Sequence, residues 1–323
     1  MLLRIRQFFC AACAFVLLLG FCGSAMALTP LQTVSMRSGS RGPNVLLLQQ
    51  NLAELGYLQE EYASSGIYDT NTVNAVKNLQ AELDIVQDGI CSRSTLVAFN
   101  SWIEQLNNIK DEAQPLKGYV LGIDPGHQKE ADLSYENLSP NSERTKERMS
   151  DGAVGVKTGA QEYEIVLQVS KKLKTLLEDA GAKVVLTRTK NDVSISNAER
   201  AQKMNEAKVD CWIRIHCDAS TDKSLKGARM LAPSKTAKPE IYAQSVDIAK
   251  AVLSSFCAET NAKQLPILLR SDQTGFNWSN APVVTIEMGY LSNSTEDVLL
   301  NKASYQQSCA QGIYNGIIAY YKD

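Results

Sequence analysis

Two histidines occur in the 323 residues, and each closes a short apolar run: Leu121-Gly122-Ile123-Asp124-Pro125-Gly126-His127 and Cys211-Trp212-Ile213-Arg214-Ile215-His216. A strand delivers its last side chain to the edge of a sheet, where open α/β folds place their ligands. Neutral imidazole is the commonest protein metal ligand, so two imidazoles held this way suit a zinc site. The competing reading is two hydrogen-bonded histidines in the core or on the surface.

Two carboxylates accompany them. A helix is expected over 161–180, with Ile165, Val166, Val169, Leu173, Leu176 and Leu177 on one face. Glu162 shares that face, while Glu164 points elsewhere. A first-turn carboxylate aimed at the sheet is a candidate ligand, or else complements the helix dipole. Glu287 follows Val283-Val284-Thr285-Ile286, a β-branched run suited to a buried strand. An ionised glutamate there costs free energy unless it is paired, metal-bound or titrating. It is where a catalytic base would sit, the alternative being a buried salt bridge with Arg188 or Arg214.

Strands expected at 119–124, 183–188, 210–216, 226–231 and 283–288 position these groups. Helices at 161–180, 195–207, 238–260 and 303–321 alternate with them, which specifies an α/β fold, a twisted sheet flanked by helices. Ser292-Asn293 reads as a helix cap. The polar insert 128–158 is expected to be a substrate-facing loop that shapes the groove over the metal.

Upstream, Gly66-Ile67-Tyr68-Asp69 and Gly89-Ile90-Cys91-Ser92 begin a weak repeat. Each copy reads as a glycine turn, an inserted apolar residue, an N-cap and a helix. A third helix begins near Pro43, carries Val45, Leu48, Leu52 and Leu55, and stops at Gly56. Residues 31–100 are therefore expected to form a small three-helix domain. Residues 101–117 are expected to be a helical extension and linker, with Trp102 an alternative domain-packing residue, before a catalytic domain at 118–323.

Residues 1–27 read as a signal peptide: Arg4 and Arg6, an apolar Phe8–Leu19, then Ala25-Met26-Ala27. The mature chain is expected outside the cytoplasm, without stable membrane insertion after cleavage. Without Arg4 and Arg6 the chain has 31 basic and 35 acidic side chains, a net charge of −4, which leaves no electrostatic footprint for nucleic acid. Five cysteines remain after the signal, an odd number with no CxxC pair, so no disulfide framework can be read.

The N-terminal residues resemble the peptidoglycan-binding domain appended to many cell-wall hydrolases. Leu31, Arg37-Ser38-Gly39-Ser40-Arg41-Gly42, Leu48-Gln49, Leu55-Gly56-Tyr57-Leu58 and the two Gly-Ile turns carry the resemblance. Leu79 departs from it where an aromatic is usual, and Asp84 where glycine is frequent.

Residues 118–322 resemble the zinc N-acetylmuramoyl-L-alanine amidases called amidase type 3. The resemblance rests on Gly122-Ile123-Asp124-Pro125-Gly126-His127, Glu162, Val185-Leu186-Thr187-Arg188, Asn197-Ala198-Glu199-Arg200, Ile213-Arg214-Ile215-His216 and Thr285-Ile286-Glu287-Met288-Gly289-Tyr290-Leu291-Ser292-Asn293. It implies His127, Glu162 and His216 as zinc ligands and Glu287 as the catalytic carboxylate. It further implies a secreted or wall-associated enzyme that cleaves the amide between N-acetylmuramic acid and L-alanine. The partner would be peptidoglycan, both glycan strand and stem peptide. The alternatives are a non-catalytic or regulatory wall-binding protein and a zinc peptidase cutting within the stem. Cys217 stands where the family has Ala or Asn, and is expected to be structural because successive strand residues face opposite sides.

Overall fold

A computed structural model of the chain describes residues 28–322; the expected signal peptide, 1–27, lies outside the described residues. The chain divides into two compact units between Glu112 and Ala113.

In the first unit, helix α1 (Pro43–Glu54) starts on proline, α2 (Thr70–Glu82) is capped by Asp69, and α3 spans Arg93–Ala113. Asp69 accepts from the Thr72 amide at 2.9 Å, and the Ser92 hydroxyl accepts from the Thr95 amide at 3.3 Å, so both expected caps are in place. The segment after residue 100 continues as helix to Ala113. Trp102 packs within this unit against Tyr57 and Phe99, with ring centroids 6.4 Å away in each case. Asp84 adopts φ 52°, a left-handed conformation that explains a preference for glycine there.

The repeat is organised around two buried glutamines. Gln49 accepts from the Gly66 amide at 2.9 Å and donates to the Ile67 carbonyl and the Thr72 hydroxyl. Gln80 does the same with Gly89 at 2.8 Å, Ile90 and Thr95. Each amide fastens a glycine turn to the next helix start. The isoleucines are not the inserted core residues: Ile90 is 39% exposed, while the following residues, Tyr68 and Cys91, are buried.

The second unit holds a six-stranded sheet of β1 (Val120–Pro125), β4 (Lys183–Leu186), β5 (Cys211–Asp218), β6 (Arg229–Pro233), β7 (Leu268–Arg270) and β8 (Val283–Tyr290). Their order is β4-β1-β5-β8-β6-β7. The first four are mutually parallel, whereas β6 runs antiparallel to β8 and parallel to β7. Leu121, Ile123, Ile213, Ile215, Val284 and Ile286 form a core with α4 (Glu162–Asp179), α6 (Tyr242–Thr260) and α9 (Ala303–Lys322). A smaller core holds Trp212, Val283 and Leu231, with Met204 from α5 (Asn197–Glu206) and Phe276 from α7 (Thr274–Trp278). Helix α8 (Ser294–Leu300) follows the cap on Asn293, whose side chain accepts from Thr295 and Glu296.

The insert 128–158 departs from the expected loop. It contains an antiparallel hairpin, β2 (Asp132–Asn137) and β3 (Thr145–Met149). Glu136 accepts from the Ala198 amide at the start of α5, and Trp278 Nε1 donates to the Asn137 carbonyl at 2.9 Å. These ties replace the apolar periodicity that would have announced two strands.

Among the described residues all five cysteines are free; Cys257 is half-buried and the rest are buried. Cys217 lies in the larger core, as expected of a structural thiol. No helix of the described residues is long and apolar enough to cross a membrane.

Candidate metal centre

The parallel strands end at one edge, and the candidate site lies there. Gly126 donates its amide to the Ile215 carbonyl at 2.9 Å, so the chain leaving β1 stays paired to β5 until His127 turns away with φ 54°. A Cβ at Gly126 would stand 2.3 Å from the His216 ring, so only glycine lets the first histidine segment cross the second. Register pairs His216 with Glu287 on β8. Glu162 comes from the first turn of α4, on the opposite face of the sheet, and reaches around the edge.

His127, Glu162 and His216 each offer a ligand atom within 4.8 Å of the others. Glu162 Oε1 lies 3.4 Å from His127 Nε2 and 3.1 Å from His216 Nδ1, and accepts from the Cys217 amide at 3.0 Å. Its other oxygen accepts from the Ala153 amide at 2.8 Å. Burial alone would raise the Glu162 pKa, but His127 and His216 outweigh it and hold the carboxyl below the usual range. Burial pushes His216 down to about 4, with His127 and Arg214 adding, so it is neutral near pH 7 as a metal ligand must be.

His127 Nδ1 donates to the Ser150 carbonyl at 2.9 Å. A carbonyl can only accept, so this contact places a proton on Nδ1 and leaves Nε2, facing Glu162, as the nitrogen that would meet a metal. His216 Nε2 is buried without a protein partner. Two imidazoles, a carboxylate and an orphaned ring nitrogen fit a divalent ion, and the N,N,O donor set suits zinc.

Glu287 is the fourth sequence candidate, and the structure sets it beside His216 without the salt bridge that was the alternative reading. Its Oε2 is buried and has no partner. Burial, then Glu162 and Asp218, raise its pKa well above the ordinary value, against the opposing Arg214 and Arg229. That environment favours the protonated carboxyl, as in carboxyl groups tuned for proton transfer.

Arg188 and Arg214, the alternative salt-bridge partners of Glu287, have other partners. Arg214 Nε and Arg200 Nη1 bind the two oxygens of fully buried Asp124 at 2.9 and 2.6 Å. Arg200 also donates to the Pro125 and His127 carbonyls, each at 2.8 Å. Arg188 has no carboxylate partner; its Nη2 donates to the Gly126 and Tyr163 carbonyls, both at 2.8 Å. It thus ties the residue before His127 to the residue after Glu162. Burial lowers the Arg188 pKa to about 10, which still leaves the guanidinium charged. Sequence reasoning assigned no positioning role to Ser150, Asp124, Arg188 or Arg200. Arg188 and Arg200 act largely through backbone carbonyls and Ser150 through its own carbonyl, contacts that carry no side-chain signature in the sequence. Asp124 acts instead through the side chains of Arg200 and Arg214, far from it along the chain.

A family model described as N-acetylmuramoyl-L-alanine amidase matches residues 121–319, and one described as putative peptidoglycan binding domain matches 41–99. The chain is 27% identical over 210 residues to the N-acetylmuramoyl-L-alanine amidase LytC of Bacillus subtilis, covering 64% of this chain and 36% of that protein. It is 27% identical over 225 residues to the germination-specific N-acetylmuramoyl-L-alanine amidase of Bacillus subtilis, covering 65% of this chain and 82% of that one. The N-acetylmuramyl-L-alanine amidase Ami1 of Mycobacterium smegmatis shares the fold of 64% of this chain, with 98% of that structure covered, TM-score 0.57 and 22% identity.

Proposed function

The chain belongs to the N-acetylmuramoyl-L-alanine amidase family, and from that premise we propose that it is an exported, zinc-dependent peptidoglycan hydrolase cleaving the amide between N-acetylmuramic acid and L-alanine. The convergence of His127, Glu162 and His216 within 4.8 Å carries the proposal. These three residues would hold the metal, and Glu287 would serve as the proton-transfer group. Bound there, zinc would supply Lewis acidity, polarising the scissile carbonyl and acidifying a water to a pKa of about 7.

The chain's own residues supply the rest. Glu287 accepts a proton as the water oxygen bonds to the amide carbon, then returns it to the nitrogen as the carbon–nitrogen bond breaks. The products are a lactyl carboxylate and a free L-alanine amine. Glu162 stays ionised throughout, because the imidazoles beside it hold its pKa down. Arg188 and Arg200 keep the His127 segment fixed while the substrate enters.

The N-terminal module would tether the enzyme to its polymer and so raise the effective substrate concentration. Export rests on the signal-like residues 1–27. Mass spectrometry of muropeptides incubated with the mature protein and zinc tests the activity. Intact stem peptides beginning at L-alanine support it; cuts inside the stem favour a peptidase, and wall binding without products favours a binding protein.

A further inference from the structure

Three neighbouring strands each place a residue with a buried, unpartnered polar atom in one row: His216 Nε2 on β5, Glu287 Oε2 on β8 and Arg229 Nε on β6. Register sets Glu287 beside His216 and opposite Arg229, so the three side chains share a face. Because β6 runs against β8, Arg229 begins its strand at the edge where β5 and β8 end. The first two orphaned atoms belong to the metal and proton-transfer machinery. The third has no assignment.

Arg229 differs from the other arginines of this unit that are not exposed. Arg148, Arg200, Arg214 and Arg270 hold carboxylates, and Arg188 holds carbonyls. No ion pair or hydrogen bond among the described residues involves the Arg229 side chain, although Glu287 and Asp218 lie in its neighbourhood. Its guanidinium carbon sits 5.9 Å from the Tyr290 ring centroid, a position that steadies the side chain without occupying its donors. A half-buried guanidinium with unused donors is matched by an anionic acceptor from outside the chain.

We propose that Arg229 binds the free α-carboxylate of the second stem residue and makes the enzyme selective for stems carrying it as a carboxylate rather than a carboxamide. This inference rests on the amidase reading above. In stem peptides the second residue is linked onward through its side-chain carboxyl, which leaves its α-carboxyl as the nearest anion to the scissile amide. An extended chain places that group about 7 Å from the reacting carbon, two residues along. Arg229 lies about 5 Å from Glu287 across one strand spacing and about 10 Å from His216 across two, within reach of a long side chain. A carboxamide has the same shape but presents an NH₂ and a weaker acceptor, so one charge-assisted pair is lost.

The test uses the full mature chain with zinc and two soluble muramyl dipeptides that differ only in carboxylate or carboxamide at that position. The expected result is a kcat/KM about 10- to 100-fold higher for the carboxylate. In Arg229→Met the ratio collapses toward one, and in Arg229→Lys it is partly kept. Zinc affinity, measured by chelator competition, is the same in both variants as in the parent and confirms an intact site. Two carboxylate-to-carboxamide results overturn the Arg229 assignment while leaving the amidase reading intact: equal rates in the parent, or a preference that survives Arg229→Met. Cleavage of neither substrate by the zinc-loaded parent overturns the amidase reading, and the Arg229 assignment with it.

Discussion

Arg188 Nη2 lies 2.8 Å from both the Gly126 and Tyr163 carbonyls, so one guanidinium corner spans the backbone beside two candidate metal ligands. Gly126 precedes His127, and Tyr163 follows Glu162. The separation of an imidazole on one side of the sheet and a carboxylate on the other is thereby set by a residue that touches neither.

Arg188→Lys is therefore expected to weaken zinc binding about 10- to 100-fold, the usual effect of losing a group that orients ligands. Lysine keeps the charge but cannot bridge two carbonyls from a rigid fork. Chelator competition reads the affinity, and the melting temperature of the metal-free protein reads the fold. Trp212→Phe, in the smaller core, provides the contrast: a lower melting temperature with unchanged affinity. A metal affinity for Arg188→Lys within two- to threefold of the parent would show that Arg188 only fills space.

Shortening the β2–β3 hairpin between Leu133 and Arg148 should also reduce zinc affinity, by a similar factor. The hairpin leads into Ser150, whose carbonyl accepts from His127 Nδ1, and Arg148 ties its two strands through Asp132 and anchors it to Glu199. The same chelator titration checks this. Undiminished affinity would mean that Ser150 stays in place without the strands.

Glu287→Gln is expected to lower kcat about 10²- to 10⁴-fold with zinc affinity retained. The metal-free variant should be at least as stable as the parent, because a buried carboxylate without a partner is removed. The folded-state pKa of Glu287 lies above its unfolded value, so the parent loses stability as pH rises through the folded pKa. The advantage of the variant should therefore grow with pH. Urea denaturation at several pH values, alongside steady-state kinetics, measures both effects.

Asp124→Asn should destabilise the fold by about 3–5 kcal/mol near pH 7, since Arg200 and Arg214 would be left buried without a countercharge. Burial works against the charged form of Asp124, but both guanidinium groups outweigh it and depress the pKa. A depressed folded-state pKa stabilises above the unfolded value of about 4, and that contribution is lost as pH falls further. The gap between variant and parent should narrow below about pH 4 in equilibrium unfolding; a gap constant with pH would contradict this account.

His127, His216, Glu162 and Glu287 were legible in the sequence because each sits where a periodic pattern ends or begins. Both histidines close apolar runs, Glu162 shares the apolar face of its helix, and Glu287 follows a β-branched run. The alternation of strands and helices was readable for the same reason. The hairpin was not: β2 is half-buried or exposed throughout, so burial imposes no period-two pattern on Asp132–Asn137. Arg188 and Arg200 were visible as residues but not as positioning groups, because a carbonyl acceptor leaves no trace in residue identity. Gln49 and Gln80 were hidden similarly, since their glycine partners lie 17 and 9 residues away and the repeat seen in sequence begins after each of them.

The unpaired cysteines give this protein a built-in clock. Burial raises the thiol pKa of Cys91 to about 12 and of Cys211 to about 11, which suppresses the reactive thiolate in the closed fold. Cys91 lies in the first unit, and Cys211, Cys217 and Cys309 lie in the core of the second. A thiol-reactive reagent should modify half-buried Cys257 first and the others only as their surroundings open. Peptide mapping after timed exposure would then report, from one unmodified sample, the opening free energy of each unit separately.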